Sequence, residues 1–489
     1  MDLLISIDRS ASEPLVSQVY NGIRQAIEQE TLGPGDRLPS TREFARQLGI
    51  TRFTVDDAYA RLVSEGYLEA RHGSGTYVAE HVHIPTLDTG SETAPSTSSH
   101  KLSTWASRLQ PEPPSESSPE SVEFNFFAGT PALDHLPTAI WQRLIRREAR
   151  DQAAASYTYG YTAGLPALRE AIASWVARSR GVTCTADQVL VTSGAQQSMD
   201  LVMRMLLDPG SKVIVEDPSY RFVRRIASLT GASIVLVPVD GEGLDTSQLP
   251  EADPAIRLAC ITPSHQYPTG AILPLSRRLD LLAWAGRTGA LIYEDDYDGE
   301  LRYDSRPVPA LAALATAGNG PTNVIYSGSF SKVLFPALRL GYIILPPDLV
   351  RPFADAKATV DRHAPTLNQA VVAAFITEGH FERHLVRMRR VYSRRHDALV
   401  TAMQEHLAGI AFRDESMRSA GLHILTRFVV DMTETELEQL AFANGIGFEG
   451  ASKCYMTPPS KPHIFMGYAA LPEEDIHRGV ARLGQILRS

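Results

Sequence analysis

The stretch SGSFSKVLFPALRLGY (327–342) sets one lysine, Lys332, beside Ser329 and Ser331 and follows it with Arg339 and Gly341. A lysine on its own is usually a solvated charge. Here hydroxyls and a guanidinium stand close enough in sequence to grip a phosphate, and the amine among them is placed for covalent chemistry. Other stretches supply matching groups. TSGAQQ (192–197) follows an apolar run and opens a helical one, so Ser193 and the amides of Gly194, Ala195 and Gln196 can face an anion. Tyr220, in EDPSY, offers an aromatic face to a flat ring. EDDYDGE (294–300) brings Glu294, Asp295, Asp296 and Tyr297. A carboxylate there could keep a pyridine nitrogen protonated, and a phenol could donate to an adjacent oxyanion.

Each piece has an ordinary explanation: glycine-rich strand-to-helix turns occur in every doubly wound sheet, and an acidic run is usually a solvated loop. Their order and joint occurrence point elsewhere. Phosphate cradle, aromatic lid, carboxylate, phenol and lysine together describe pyridoxal 5′-phosphate held on Lys332 as a Schiff base.

The elements that must position these groups are legible as short apolar runs. QVLVTSG, KVIVEDP, SIVLVPVD, RLACITPS, ALIYEDD and NVIYSGS each end at polar or glycine-rich residues, with helical segments between several of them. That alternation predicts an α/β domain over 121–489 with a predominantly parallel sheet and a ligand site at its strand ends. The segment from RRVYSRRHDALV onward reads as a smaller α/β lobe.

Residues 1–80 have another character. Leu15, Val19, Ile23 and Ile27 form one helical stripe, and GPGDRLPS ends that helix. Ser40 suits the N-cap of TREFARQLG, which closes on Gly49. A third helix through RFTVDDAYARLVSEG turns Val55, Tyr59 and Leu62 inward and closes at Gly66; YLEARHGSGTYVAE then reads as a two-stranded wing around HGSG. This is the winged helix-turn-helix plan, with Arg42, Arg52 and Thr54 facing phosphates and base edges and Arg71 and His72 on the wing. Asp56 and Asp57, on the recognition helix, must point away from phosphates or read cytosine amino groups. Between the two regions, residues 81–120 are rich in Ser, Pro, Thr and Glu and read as a flexible, partly extended linker. LSTWASRL lies within it as a short docking element with Trp105 as anchor.

The bulk numbers narrow the field. A chain of 489 residues requires more than one domain. A formal net charge of −9 argues against indiscriminate binding of nucleic acid or membrane, and the first 80 residues hold eight Arg and no Lys against twelve acids. DNA contact must therefore come from a local arginine patch. Cys184, Cys260 and Cys454 form no CxxC pair, and the histidines show no ligand spacing, so no metal is expected. No signal peptide or membrane-spanning run is apparent, and the expected location is the cytoplasm.

Residues 38–78 resemble GntR-family winged helices, and 121–489 resemble a fold-type I aminotransferase domain with large and small lobes. Together, with TPSHQYPTG, EDDYDGELRY and SGSFSKVLFPALRLGY as carrying stretches, the chain resembles the MocR/GabR family of transcriptional regulators. The resemblance implies that Lys332 forms the internal aldimine, that Asp295 pairs with the pyridine nitrogen and that Tyr297 contacts the ring 3′-oxygen. It places Ser193 to Gln196, Ser329, Ser331 and Arg339 around the phosphate and Tyr220 over the ring. Tyr159 matches a tyrosine that reaches the partner subunit's phosphate, which implies a head-to-tail homodimer. Aminotransferases usually carry Asn before PTG; here that position is Tyr267, which weakens a claim to efficient turnover. The implied function is regulation of transcription at a double-stranded DNA operator, with an amine, an amino acid or the coenzyme itself as the signal. Lys453, and more weakly Arg221, are the candidates for an effector carboxylate. Two other readings remain: an aminotransferase with a DNA-binding appendage, and a DNA-binding module on an inactive dimerisation scaffold.

Overall fold

The computed structural model describes residues 5–11, 13–80, 100–109, 122–151, 158–251, 253–303, 309–316, 322–413 and 420–488. They form two compact units, divided between His100 and Lys101.

In the first unit, α1 (Leu15–Glu28) buries Val19, Tyr20, Ile23 and Ile27. Helix α2 (Thr41–Leu48) starts where Ser40 Oγ accepts a hydrogen bond from the Glu43 amide at 3.2 Å. It stops at Gly49, whose φ of 65° favours a residue without Cβ. Thr51 caps α3 (Arg52–Ser64) in the same way, accepting from the Thr54 amide at 3.3 Å. Val55, Ala58, Tyr59 and Leu62 then face the core. Strands β1 (Leu68–Arg71) and β2 (Gly75–Val78) pair antiparallel, with Leu68 opposite Val78. This is a winged helix-turn-helix, with each predicted cap in place.

The second unit begins with the short β3 (Phe124–Asn125). Its large sheet comprises β4 (Val189–Thr192), β5 (Lys212–Asp217), β6 (Ser233–Asp240), β7 (Gly243–Leu244), β8 (Ile256–Ile261), β9 (Leu291–Asp296), β10 (Val324–Ser329) and β11 (Gly341–Ile344). Their spatial order is β4-β11-β10-β9-β8-β5-β6-β7. Strands β6, β5, β8, β9 and β10 run parallel. Strand β11 is antiparallel to both β10 and β4. Two reversals leave β4 pointing with the parallel set, so the ends of β4, β5, β8, β9 and β10 gather on one edge. Six of these strands coincide with the predicted runs. Strand β11 was not expected, because its few residues follow directly on the Lys332–Arg339 stretch and read as its continuation.

The smaller lobe carries β12 (Ala411–Arg413), β13 (His423–Phe428), β14 (Ile446–Gly447), β15 (Glu449–Gly450) and β16 (His463–Gly467). An antiparallel sheet of order β12-β13-β16-β15 shares one hydrophobic core with the helices His380–His406 and Glu473–Ile486, which pack on each other. Strand β14 pairs in parallel with β3, which ties the start of the unit to its far end.

Linker residues 81–99 and 110–120 lie outside the described residues, but 101–109 are docked on the second unit. A helical turn, Thr104–Ser107, is capped by Ser103. The Arg204 guanidinium lies 5.0 Å from the Trp105 ring centroid, and Arg108 Nη1 donates to the Leu229 carbonyl at 3.2 Å. Trp105 is thus an anchor, helped by an arginine the sequence did not single out.

The packing between β4, β10 and β11 leaves no room beside Gly341. A Cβ there would come within 2.9 Å of Gly194 Cα and 3.1 Å of the Gly328 carbonyl oxygen, all of it backbone. Gly341→Ala is expected to destabilise the second unit by about 1–3 kcal/mol, the usual cost of overpacking. A lowered midpoint in denaturant unfolding checks this; an unchanged midpoint refutes it.

Candidate functional site

Side chains alternate along a strand, and in β9 this sorts three consecutive acids. Glu294 turns to one face and accepts from the amides of Leu311 and Ala312 at 2.7 and 2.8 Å. Asp296 turns to the same face and meets Arg180 at 2.7 Å and the Tyr326 hydroxyl at 2.6 Å. Asp295 alone faces the other way, into a cavity of about 350 Å³. It is buried, and its Oδ1 has no hydrogen-bond partner among the described residues. Burial first, then the charges of Asp296, Asp298 and Glu216, push its carboxyl up to about 7.

Lys332 enters the same cavity from the loop after β10. Its Nζ donates to the Gly129 carbonyl at 3.0 Å. Gly129 has φ of 82°, and a Cβ there would collide with Nζ. Only glycine fits so close to the amine. Burial lowers the Lys332 pKa, against the opposing pull of Asp298 and Glu449. Arg339 adopts a left-handed conformation, φ of 52°, at the end of a short turn. That uncommon backbone brings its guanidinium beside Gly194, where a Cβ would lie 3.6 Å from Nη1. Ser329, Ser331, Ala195 and Gln196 line the same end of the cavity.

Aromatic rings form the remaining wall. Tyr220 meets Tyr267 edge-on at 5.7 Å, and Tyr267 stacks on Phe465 at 5.4 Å. Tyr297 bonds His265 Nδ1 at 3.2 Å, and the same nitrogen lies 2.9 Å from Asp298 Oδ2. His423, buried behind them, is held neutral: burial, then His265 and Lys332, bring its pKa down to about 3. Beneath the floor, Glu216 accepts from the Thr262 hydroxyl at 2.6 Å and from Gln266 Nε2 at 3.3 Å, fixing the loop that carries Tyr267.

The predicted residues Ala195, Gln196, Tyr220, Asp295, Tyr297, Ser329, Ser331, Lys332, Arg339 and Lys453 thus converge on one cavity, with Arg221 at its edge. Gly194 supports it from behind. Ser193 turns its amide to Gln197 Oε1 at 2.7 Å. Tyr159 lines no part of the cavity: it is 77% exposed, with Arg362 4.3 Å from its ring centroid. Lys453 is exposed at the rim. The sequence reading missed Gly129, His423, Glu449 and Phe465. A glycine, FFAGTP, was the only signal for the first; the others reach the cavity from small-lobe strands whose pairing no local pattern reveals.

These residues fit pyridoxal 5′-phosphate. An orphaned buried carboxylate awaits a protonated ring nitrogen, a buried amine stands in the same cavity, and Arg339 with a helix N-terminus faces a phosphate-sized end.

On the winged helix, Arg42, Arg52, Arg71 and His72 are exposed and Thr54 is half-buried. Arg52 is braced by Asp56 at 3.3 Å and by the Thr41 hydroxyl at 3.3 Å. Asp56 therefore points to its own helix's arginine, and the cytosine role weighed for it is not what its geometry favours. Arg71 is shared between Glu80 at 3.2 Å and Glu69 at 3.6 Å. Phe53, overlooked in the sequence, is 77% exposed on the first turn of α3. A large apolar ring there suits contact with a thymine methyl group.

A carboxyl raised above its unfolded value favours the folded state at low pH, and that benefit is lost as pH rises through the folded value. For Asp295 this window runs from near 4 to about 7. In coenzyme-free protein, Asp295→Asn is therefore expected to raise the melting temperature more at pH 8 than at pH 5. A gap of roughly 2–4 °C corresponds to about 1 kcal/mol in a large domain. Equal shifts at both pH values would count against the burial argument.

Comparison with known proteins agrees with both units. The family model for bacterial regulatory proteins of the gntR family matches residues 15–78, and that for aminotransferase class I and II matches residues 123–482. The probable rhizopine catabolism regulatory protein MocR of Rhizobium meliloti is 35% identical, over 98% of this chain and 95% of its own. The pyridoxine biosynthesis transcriptional regulator PdxR of Corynebacterium glutamicum is 33% identical, over 81% of this chain and 80% of its own. Among solved structures, the α-aminoadipate aminotransferase LysN of Thermus thermophilus, complexed with N-(5′-phosphopyridoxyl)-L-leucine, matches with a TM-score of 0.70. It is 29% identical and covers 79% of this chain and 97% of its own. A GntR winged helix joined to an aminotransferase class I and II domain, matched end to end by such regulators, places this chain in the MocR/GabR family of transcriptional regulators.

Proposed function

We propose that this regulator holds pyridoxal 5′-phosphate at Lys332 and uses it to sense a small amine, acting in the cytoplasm as a homodimer on a double-stranded DNA operator. The carrying observation is that a buried amine and an unpartnered buried carboxylate, Lys332 and Asp295, line one cavity. When bound, the coenzyme supplies an aldehyde carbon that condenses with primary amines. Burial of Lys332 keeps a larger share of its amine neutral, and so nucleophilic, than on a solvated lysine. Asp295 would accept from the ring nitrogen and keep its proton in place. Arg339, Ser329 and the amides opening the helix Ala195–Leu206 would hold the phosphate. Tyr220 would supply an aromatic face to the ring, and Tyr297, steadied by His265, would donate to the ring oxygen.

Exposed Tyr159 is assigned to the partner subunit's phosphate site. Two winged helices in such a dimer address paired half-sites, and linkage raises the affinity of the second contact. Arg42, Arg52, Arg71 and His72 supply the phosphate contacts, with Thr54 and Phe53 nearest the bases.

A physical route joins the cavity to the linker. Arg224 donates to the carbonyls of Lys453 at 2.6 Å and Cys454 at 2.5 Å, both on the small-lobe rim of the cavity. It belongs to the helix Arg221–Thr230, which Tyr220 and Arg221 begin at the cavity wall. The other end of that helix is where Arg108 of the docked linker segment is bonded. A change of wall geometry on ligand binding is thus passed along one helix to the tether of the DNA-reading unit.

Lys332→Ala is expected to abolish the absorbance band of the bound coenzyme, any borohydride-fixable adduct and the response of DNA affinity to amines. Persistence of the band in that variant overturns the assignment. The double variant Trp105→Ala, Arg108→Ala is expected to keep the coenzyme band but to reduce the amine-induced change in DNA affinity by at least about fivefold, the lower end of allosteric coupling. An unaltered response removes the helix from the route.

A further inference from the structure

The cavity holds a carboxylate that the coenzyme does not use. Glu449, on β15, lines the small-lobe wall together with Leu422, His423 and Phe465. The residue is half-buried, and its side chain makes no hydrogen bond or ion pair among the described residues. Its charge is felt at Lys332, Tyr220 and Tyr267, opposed at the two tyrosines by that of Arg221, in keeping with its place in the cavity wall. The other cavity carboxylates are already engaged. Asp298 is bonded to His265, and Asp295 lies under the ring position.

None of the cavity's cations makes an ion pair with Glu449 among the described residues. Arg339 is turned to Gly194 at the phosphate end. Arg221 lies against the Phe222 ring, 4.7 Å from its centroid. Lys453 is exposed at the rim, where water screens it. His423 carries no charge at neutral pH. A ligand carboxylate reaching from the amine toward the small lobe would share that wall with the Glu449 carboxylate.

On this ground, and resting on the reading that the cavity takes an amine, we propose that the effector is an amine without a carboxylate, whose far end carries hydroxyl or ammonium donors bound by Glu449. Phe465 and Tyr267, stacked on one another, supply the apolar stretch between the reacting amine and those donors. The lone carboxylate selects for donors and against acids by the same charge.

A chain-matched set tests this: 1,5-diaminopentane, 5-aminopentan-1-ol and 5-aminopentanoate, titrated into the full-length protein loaded with coenzyme. Two signals are read, the absorbance of the bound coenzyme and the affinity for DNA, and loading of each variant is verified from the same band beforehand. The diamine and the amino alcohol are expected to act at concentrations at least tenfold lower than the amino acid. Glu449→Gln is expected to erase the advantage of the diamine, and Glu449→Lys to invert the order in favour of the amino acid. An amino acid as potent as the diamine on the native chain overturns the proposal. So does a ranking that survives Glu449→Gln, or one that depends on Lys453→Ala instead. If no amine changes either signal while the coenzyme band is present, amine sensing itself fails and this inference with it; a response with the wrong ranking removes only the role of Glu449.

Discussion

No single stretch of this chain contains both halves of its chemistry, so the site depends on five strand ends meeting along one edge. Lys332 is anchored by a carbonyl 203 residues before it in the sequence. Asp295 comes from β9, and the phosphate-facing amides follow β4. Strand direction enforces their meeting: parallel neighbours release their ends on the same side, and the reversed β11 lets β4 rejoin that side beside β10. The tight approach of Gly341 to Gly194 is where this constraint shows most directly. The backbone after Arg339 must return against the backbone that opens the helix at Ala195, or arginine and amides cannot share one anion.

The same edge concentrates ionisable groups in a low-dielectric region, and the fold deals with them unequally. Asp296 and Arg180 are both buried and form an ion pair through Asp296 Oδ2, to which Tyr326 also donates, while Ser264 takes a second Arg180 nitrogen. Glu216 and Glu294 are bonded to hydroxyls or amides but have no ion-pair partner, and burial pushes each up to about 7. Asp295 has neither. A group left in that condition costs stability, and such costs are retained where a ligand is to meet the group. The alternation of β9 makes this separation possible with three adjacent acids: two are spent on structure, and one is reserved for the cavity.

Much of this was legible in the sequence because the relevant signals are local. Ser40, Gly49 and Gly66 mark helix ends by side-chain capacity and backbone freedom, and the structure uses each of them so. Six strands announced themselves by apolar runs ending in chemistry-bearing residues. The losses were non-local. Strand β11 was hidden by the motif before it. Glu449 and Phe465 stand opposite one another in an antiparallel register, and nothing in either segment reports that pairing. For Asp56 the sequence left two roles open, and the pairing with its neighbour Arg52 favours the one turned away from the bases. The docked segment was recognised through Trp105, but its strongest tie is an arginine bonded to a carbonyl 121 residues away.

These non-local contacts are also what the proposed switch would work through. In an enzyme, the wall above the coenzyme has only to shape the substrate. Here the rim loop at Lys453–Tyr455 is tied by Arg224 to the helix that begins in the cavity wall, and Ser219 and Asp217 add bonds to Cys454 and Met456 across the same gap. A ligand that draws the small lobe toward Glu449 cannot do so without moving this helix or breaking its ties. The linker's docked turn is bonded to the far end of that same helix, so a single helix holds the rim loop near its start and the linker near its end.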